Sequence, residues 1–586
     1  MPSSRSRKKN TSSRKIRRAP NGGVAVYMGG TKLLIESHVS RNRLEIMNSE
    51  YHERRSRLSK PSFGQELEAA QAHQILDGQY LEVRASIQDV VNTMPSSQWL
   101  WYLRRCPKSM FSEGDELAST PPFDQRLAEI VSGSSILEYT NQSVQDSRSS
   151  LNFPVDESHI VQVLRLAARV MLLSDIERHL RRAAKGTRFI STNKWLEPIR
   201  DVELEMAISD YDDRRIADGA GLVVGTRVMK RGLEFEDLDG TGFPVLIAFR
   251  SMEEVPFLLP RAFQTTGEKQ IISVGYFADF ATLEPMLDLI RSLPQEERKG
   301  WDEALPETLF MMYLLGKMIF VEHPPALFLT LMDTGYVWRT KKGFEETFNS
   351  VPSVEGRRLI EESFGVTLPT DSKELILKIA AIEGNARPIS CGPLLRDMGD
   401  SFFFDVLMAT GRLSTSLTGP IRENPNFANG RGKLFELITR EVIGVAGASP
   451  DDTVNRYIGR EIRFEGKPVT DLDAIASIDG MTVLVSCKSI AYTHEIDAGF
   501  FAPVRNASDL LRASVIKWKD TLAFLEKNPK GDNYDFSNQR LRGVIVTPSV
   551  IWAGVGLPFE IAMERSDGRR LAWVSSVDEL RRFLSD

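Results

Sequence analysis

The chain has 586 residues, of which 42% are hydrophobic and 26% charged, an ordinary globular composition with room for three or four domains of ~150 residues. The formal net charge is -5, but residues 1–22 hold eight Lys and Arg side chains and no acid, which leaves -13 for the rest. Three widely spaced cysteines argue against a thiol zinc site or a disulfide framework, and no stretch reaches the ~20 apolar residues of a membrane span. We therefore expect a cytoplasmic protein without membrane contacts.

Residues 1–22 form a basic tail that is too polar to build a core or an amphipathic face, so we expect it to be disordered. It does not resemble a signal or transit peptide. Two functions remain open for it: a loose, salt-sensitive contact with nucleic-acid phosphates, or a terminus that only adds solubility.

The middle of the chain is predicted to alternate between helical and β-rich segments. Apolar residues at helical spacing indicate a mostly helical region over residues 23–210, and strand-like periods between Gly221 and Phe277 indicate a small mixed or β-rich module over 211–282. A second helical region is expected over 283–413. A stretch rich in Ser, Thr, Gly, Pro and Asn then predicts a linker over 414–430, before a C-terminal domain over 431–586.

The C-terminal domain contains the strongest local signal in the sequence, a β-hairpin. Two strand-like runs, Val469–Ile478 and Met481–Lys488, are separated by Asp479-Gly480 alone, the dipeptide typical of a two-residue turn. If Ile478 opposes Met481, then Asp473 opposes Ser486 and Asp471 opposes Lys488. Alternate residues share a face, so these four side chains are predicted to cluster away from the turn, with Ile475 and Leu484 continuing that face as core.

A carboxylate on the preceding helix extends this cluster. Glu436 lies beside an apolar stripe of the predicted helix that begins near Gly432. Carboxylate oxygens suit Mg²⁺, and a lysine beside them suits a phosphodiester or an attacking water. A purely structural alternative accounts for these charged residues equally well: Asp471 and Lys488 form a cross-strand ion pair on a half-exposed sheet and have no catalytic role.

The order of these features resembles the PD-(D/E)XK nuclease superfamily, including its Mrr-type restriction enzymes. The shared features are a glycine and Phe-Glu on the first helix, an aspartate in Asp-Leu-Asp-Ala-Ile-Ala, a hairpin, and a hydrophobic strand that ends in Lys488. The resemblance implies a restriction-endonuclease-like α/β fold, a mixed sheet flanked by helices, within a multidomain α/β chain. It also implies that Glu436 and Asp473 hold Mg²⁺ (or Mn²⁺) and that Lys488 is catalytic. The predicted register, and not the resemblance, adds Asp471 as a further candidate metal ligand, because it places this carboxylate on the same face.

One position departs from this family. Ser486 stands two residues before Lys488, where the family has Glu, Asp or, in Mrr-type enzymes, Gln. Three consequences are open. Glu436 and Asp473 suffice to bind the metal, or Asp471 replaces the missing carboxylate charge, or the domain binds nucleic acid without cutting it.

The leading hypothesis is a Mg²⁺-dependent nuclease that acts on double-stranded DNA, as a restriction or phage-defence protein whose N-terminal region recognises the target or regulates cleavage. The alternatives are a catalytically inactive nuclease-fold protein that binds nucleic acid or serves as a scaffold, and an unrelated α/β domain. A homo-oligomer is compatible with each. Phosphate contacts are expected from a basic helix that follows the hairpin, through Arg512, Lys517 and Lys519, although a merely solvated helix face accounts for the same residues.

Overall fold

A computed structural model describes residues 45–105, 126–136, 153–217, 336–349, 391–405, 427–490 and 499–585, with small gaps, and isolated residues between 310 and 496. Within these ranges the chain combines helices with several small sheets, which agrees with the predicted α/β class. No helix in them has the length and apolar character needed to cross a membrane.

The N-terminal part is a helical body built on two long helices that pack against each other. The first begins after Glu68, whose side chain and that of Gln71 form a capping box, and the second begins after Asp156, whose carboxylate accepts from the N–H of Ser158. Apolar residues from both helices form one core. The elements are α1 (Ala69–Val91), α2 (Ser96–Arg105), α3 (Glu157–Ala184) and α4 (Val202–Ala217), with a small sheet of β1 (Glu66–Leu67), β2 (Phe189–Ser191) and β3 (Leu196–Pro198).

The stretches described between residues 336 and 405 contain more strand than the helical region predicted over 283–413. One antiparallel sheet has the order β4-β8-β7 and a second pairs β5 with β6, beside one helix. The helical prediction does not hold where these strands form, and aromatic runs such as Phe402-Phe403-Phe404 favour a pleated surface there. The elements are β4 (Tyr336–Thr340), α5 (Lys341–Phe348), β5 (Glu383–Gly384), β6 (Cys391–Pro393), β7 (Arg396–Asp397) and β8 (Ser401–Asp405).

The C-terminal part is a four-stranded mixed sheet with helices on both faces. The strand order is β11-β12-β13-β16, in which β11 runs antiparallel to β12 and the other neighbours are parallel. One face packs against α6 and α9, and the other against α8. The elements are α6 (Phe427–Val445), α7 (Asp452–Asn455), β9 (Glu461–Phe464), β10 (Lys467–Asp471), β11 (Ala474–Ile478), β12 (Met481–Cys487), α8 (Phe501–Lys527), β13 (Arg540–Thr547), β14 (Ile561–Glu564), β15 (Arg570–Ala572), β16 (Val574–Ser576) and α9 (Val577–Leu584).

The hairpin forms with the predicted register. Ile478 is paired with Met481, and the ladder continues in step to Ala474 opposite Val485. Asp479 and Gly480 both have positive φ, 49° and 69°, as a two-residue turn of this kind requires. The basic helix predicted after the hairpin also forms, as α8, and the strand β13 follows it.

The first predicted strand of the hairpin is, however, two strands. Asp471 belongs to β10 and is paired with Glu461 of β9, so the predicted pairing of Asp471 with Lys488 is wrong. The ladder ends because Leu472 turns its side chain into the core, while its carbonyl accepts from the N–H of Gly459 at 2.8 Å. A run of residues with strand propensity does not reveal such a break.

The helical body and the C-terminal part share a core. Ala184 of α3 and Leu204, Ile208 and Tyr211 of α4 belong to the same buried cluster as the sheet face covered by α8. Arg214 of α4 adds hydrogen bonds to both carboxylate oxygens of Glu579, at 2.7 and 2.9 Å, and one to the carbonyl of Val574 at 2.8 Å. The two parts are therefore packed together and not joined by contacts at their rims alone.

Several sequence predictions lie wholly or partly outside the described residues. These are the basic tail, parts of the helical region over 23–210 (residues 23–44, 106–125 and 137–152), nearly all of the module over 211–282, much of the region over 283–413 and most of the linker over 414–430. At two boundaries the structure extends a helix into a predicted neighbour: residues 211–217 complete α4, and residues 427–430 begin α6.

Candidate functional site

Glu436 lies on α6 where this helix passes the edge of the sheet. Phe435 beside it is buried against the sheet, which fixes the helix and leaves the Glu436 carboxylate half-buried at its margin. One carboxylate oxygen, Oε2, accepts a hydrogen bond from Nη2 of Arg440, one turn further along the helix, at 3.2 Å.

Asp473 occupies the junction between β10 and β11. Its carboxylate oxygen Oδ2 accepts from the backbone N–H of Cys487, at the end of β12, at 2.7 Å. Its main-chain carbonyl accepts from Nε of Arg440 at 2.7 Å. Two neighbouring segments, the end of β12 and helix α6, thus fix the position of Asp473.

Glu436 and Asp473 are close enough to repel each other. Burial, and next the negative charge of Asp473, raise the pKa of Glu436, while Arg440 and Lys433 partly oppose this shift. Burial is also the largest cause of a raised pKa for Asp473, which the hydrogen bond from Cys487 and the charge of Lys488 oppose. Two partly desolvated carboxylates in one place form a site that favours a cation.

Lys488 follows the last residue of β12. Its N–H donates to the carbonyl of Val546 at 2.8 Å, which carries the parallel pairing with β13 one residue past the strand. The side chain is half-buried, and its positive charge acts on Asp473. Three predicted site residues, Glu436, Asp473 and Lys488, are therefore linked through Asp473.

The other two residues of the predicted cluster lie differently. Ser486 is buried inside the sheet, paired with Ile545, and by strand alternation it shares the face of Leu484 that α8 covers. Asp471 is exposed on β10, yet its charge still raises the pKa of both Glu436 and Asp473. Asp471 therefore contributes negative charge to the site from its rim.

The donor set at this site suits a hard cation. Mg²⁺ is usually held by one or two carboxylates together with water and substrate phosphate, and Glu436 and Asp473 supply two carboxylates. In the part of the chain that the structure describes, no group of three or more His, Cys, Asp or Glu side chains is arranged to hold a metal. Burial raises the pKa of the neighbouring Cys487 thiol to about 12, so this partly buried side chain remains protonated.

The basic residues predicted to contact phosphate do not form one patch on α8. Lys519 donates to Glu560 at 3.4 Å and lies 4.9 Å from the ring centroid of Trp573, so its charge is used within the fold. Arg512 is exposed, with Nη2 3.4 Å from the carbonyl oxygen of Val555. Lys517 is exposed on a different side of the helix, five residues from Arg512.

Arg440 is the site residue that sequence reasoning missed. Its spacing of four residues from Glu436 was a usable signal, because such pairs face each other on a helix. Its second contact, to the main chain of Asp473, joins residues 33 positions apart and has no local signature.

Comparison of the chain with protein-family models, with curated proteins and with solved structures gives no match.

Proposed function

We propose that the C-terminal part of this protein is a Mg²⁺-dependent nuclease domain that hydrolyses phosphodiester bonds in double-stranded DNA. The observation that carries the proposal is the grouping of Glu436 and Asp473, each with a raised pKa, beside Lys488. The mixed sheet with helices on both faces is the architecture that the resemblance to PD-(D/E)XK nucleases implies, and it supports the same proposal.

The proposed roles follow from charge and position. Asp473 and Glu436 would hold Mg²⁺, which when bound lowers the pKa of water and neutralises phosphate charge. The N–H of Cys487 keeps the Asp473 carboxylate oriented. Lys488 offers a compact positive charge to the negative charge that builds up on the scissile phosphate.

The biological setting belongs to the same proposal. A restriction or phage-defence role fits a nuclease domain that shares its core with a helical body, because contacts of that body with DNA or another ligand could then be transmitted to the sheet. This part of the proposal is an analogy with restriction enzymes.

One observation favours a second function, binding of nucleic acid without cleavage. Ser486 places a buried hydroxyl where the resembling family has an acid or Gln, so two inner carboxylates remain instead of three. A neutral hydroxyl is a weaker Mg²⁺ ligand than a carboxylate. A domain of this kind would act as a nucleic-acid-binding or scaffold module.

The test uses the full-length protein with supercoiled plasmid, linear duplex DNA and single-stranded RNA, in Mg²⁺ and separately in Mn²⁺. Cleavage and binding are measured on the same substrates, by gel electrophoresis and by mobility shift in EDTA. The nuclease proposal predicts metal-dependent cleavage of DNA that falls at least ~10²-fold in Lys488→Ala. DNA binding without cleavage in either metal would instead establish the second function.

A further inference from the structure

We propose that Arg440 is a positioning residue of this site, which holds the two carboxylates in the arrangement that binds a divalent cation. The inference rests on the proposed function and deepens it. It concerns a residue that makes no contact with substrate in the proposed chemistry and acts through Glu436 and Asp473.

The contacts of Arg440 differ in kind and reach two segments. Nη2 donates to the Glu436 carboxylate at 3.2 Å, and Nε donates to the Asp473 carbonyl at 2.7 Å. A planar guanidinium presents its donors in a fixed fork, so both bonds together fix the distance between α6 and the junction of β10 and β11. Only one of the two oxygens of Glu436 is used in this contact.

The backbone at Gly459 lies beside the Arg440 guanidinium. A Cβ atom on Gly459 would lie 3.6 Å from Nη2, and Gly459 has a φ of +73°, a conformation that L side chains rarely adopt. The N–H of Gly459 donates to the carbonyl of Leu472, next to Asp473. Three segments therefore meet around one side chain, which is more than an exposed helix ion pair would require.

A role of Arg440 through its charge alone would affect metal binding in the opposite direction to a positioning role. A positive side chain beside two carboxylates repels an incoming cation, so an Arg440 with a purely electrostatic role would weaken metal binding. A positioning role strengthens binding, because the ligands are already oriented. The sign of the change on removing Arg440 therefore separates the two roles.

Lys433 provides the matched control. It is exposed, and its charge also lowers the pKa of Glu436, as that of Arg440 does. Lys433→Gln and Arg440→Gln each remove one positive charge from the surroundings of Glu436. Only the second removes the bridge to Asp473.

The experiment measures Mn²⁺ binding to the full-length protein without DNA, by the electron paramagnetic resonance signal of free Mn²⁺, together with the melting temperature of each variant. We expect Arg440→Gln to raise the dissociation constant by ~10-fold or more, the range found for residues that orient metal ligands. Lys433→Gln should leave it unchanged or lower it. Arg440→Lys keeps the charge but not the fork, and should also bind Mn²⁺ more weakly while melting close to the wild-type temperature.

Each result bears on one claim. If Arg440→Gln binds Mn²⁺ as tightly as the wild type or more tightly, the positioning role is overturned; if that variant does not fold, unchanged binding by Arg440→Lys overturns it. If the wild-type protein binds no Mn²⁺, or if Asp473→Asn binds it equally well, the metal site of the proposed function fails, and the role of Arg440 with it.

Discussion

The carboxylate of Asp473 and the backbone N–H of Cys487 are joined by a hydrogen bond of 2.7 Å. This bond continues the contact between β11 and β12 beyond the last ladder pair, Ala474 with Val485. The Asp473 carboxylate therefore lies at the end of β12, the strand that leads to Lys488. The position of Asp473 relative to Lys488 thus depends on the register of the hairpin.

Lys185 lies where the helical body meets the C-terminal part. We expect it to make the free energy of unfolding depend on pH in the alkaline range. Its ammonium lies 4.1 Å from the ring centroid of Tyr211 and 5.5 Å from that of Trp552, and donates to Asp212. Burial lowers its pKa from 10.5 to about 8, with Arg181 and Arg215 acting in the same direction and Asp212 opposing. Between these pH values unfolding takes up a proton, so the free energy of unfolding increases as the pH rises.

We therefore expect Lys185→Met to remove this increase. The difference in unfolding free energy, wild type minus variant, should grow between pH 8 and 10.5 by on the order of 3 kcal/mol at most, from ~1.4 kcal/mol per pKa unit. Urea unfolding at pH 7.5 and pH 10 measures it. A difference that stays constant or shrinks would mean that Lys185 is not desolvated at this interface.

Gly543 on β13 is a position where side chains of α8 lie directly against the sheet backbone. A Cβ atom there would lie 2.3 Å from Cδ1 of Leu522 and 2.8 Å from Nε1 of Trp518, both buried. Gly543→Ala should lower the free energy of unfolding by ~1–3 kcal/mol, because the packed core cannot absorb the methyl group without moving. Thermal or urea unfolding tests this.

Gly78 gives the matched comparison for the same substitution. It lies within α1 with no atom within 4 Å of the added Cβ, so Gly78→Ala should stabilise the protein by ~0.5–1 kcal/mol through helix propensity alone. Equal effects of the two substitutions would contradict the packing of α8 on β13.

The basic tail should dominate the salt dependence of any DNA binding. Outside residues 1–22 the chain carries a net charge of -13, which repels phosphate, whereas the tail carries +8. Deleting residues 1–22 should weaken DNA binding and reduce the slope of log K against log salt by roughly 0.9 for each phosphate that the tail neutralises. Fluorescence anisotropy between about 50 and 200 mM salt measures this slope, and an unchanged slope would show that the tail only adds solubility.

Local signals explain which parts of this site could be predicted. The dipeptide Asp479-Gly480 specifies a turn that only one register satisfies, and this register brings Asp473 to the end of β12. The apolar spacing of α6 and α8 identifies the helices that cover the sheet.

The features that were missed depend on contacts between distant residues. Asp471 leaves the hairpin because β10 pairs with β9, and Arg440 reaches Asp473 because α6 crosses the sheet edge at that point. The shared core of α4 and the C-terminal part joins residues more than 300 positions apart, as Arg214 and Glu579 illustrate. Neither hydrophobic period nor turn chemistry encodes such pairings.

The central claim is most directly tested by DNA cleavage with a pair of matched variants. Asp473→Asn removes a carboxylate from the site, whereas Asp520→Asn removes an exposed one from α8. In Mg²⁺, with plasmid in excess over enzyme, we predict that Asp473→Asn lowers the initial rate at least ~10²-fold and that Asp520→Asn retains the wild-type rate. Wild-type cleavage that continues unchanged in Asp473→Asn, with both variants folded by circular dichroism, would contradict the account.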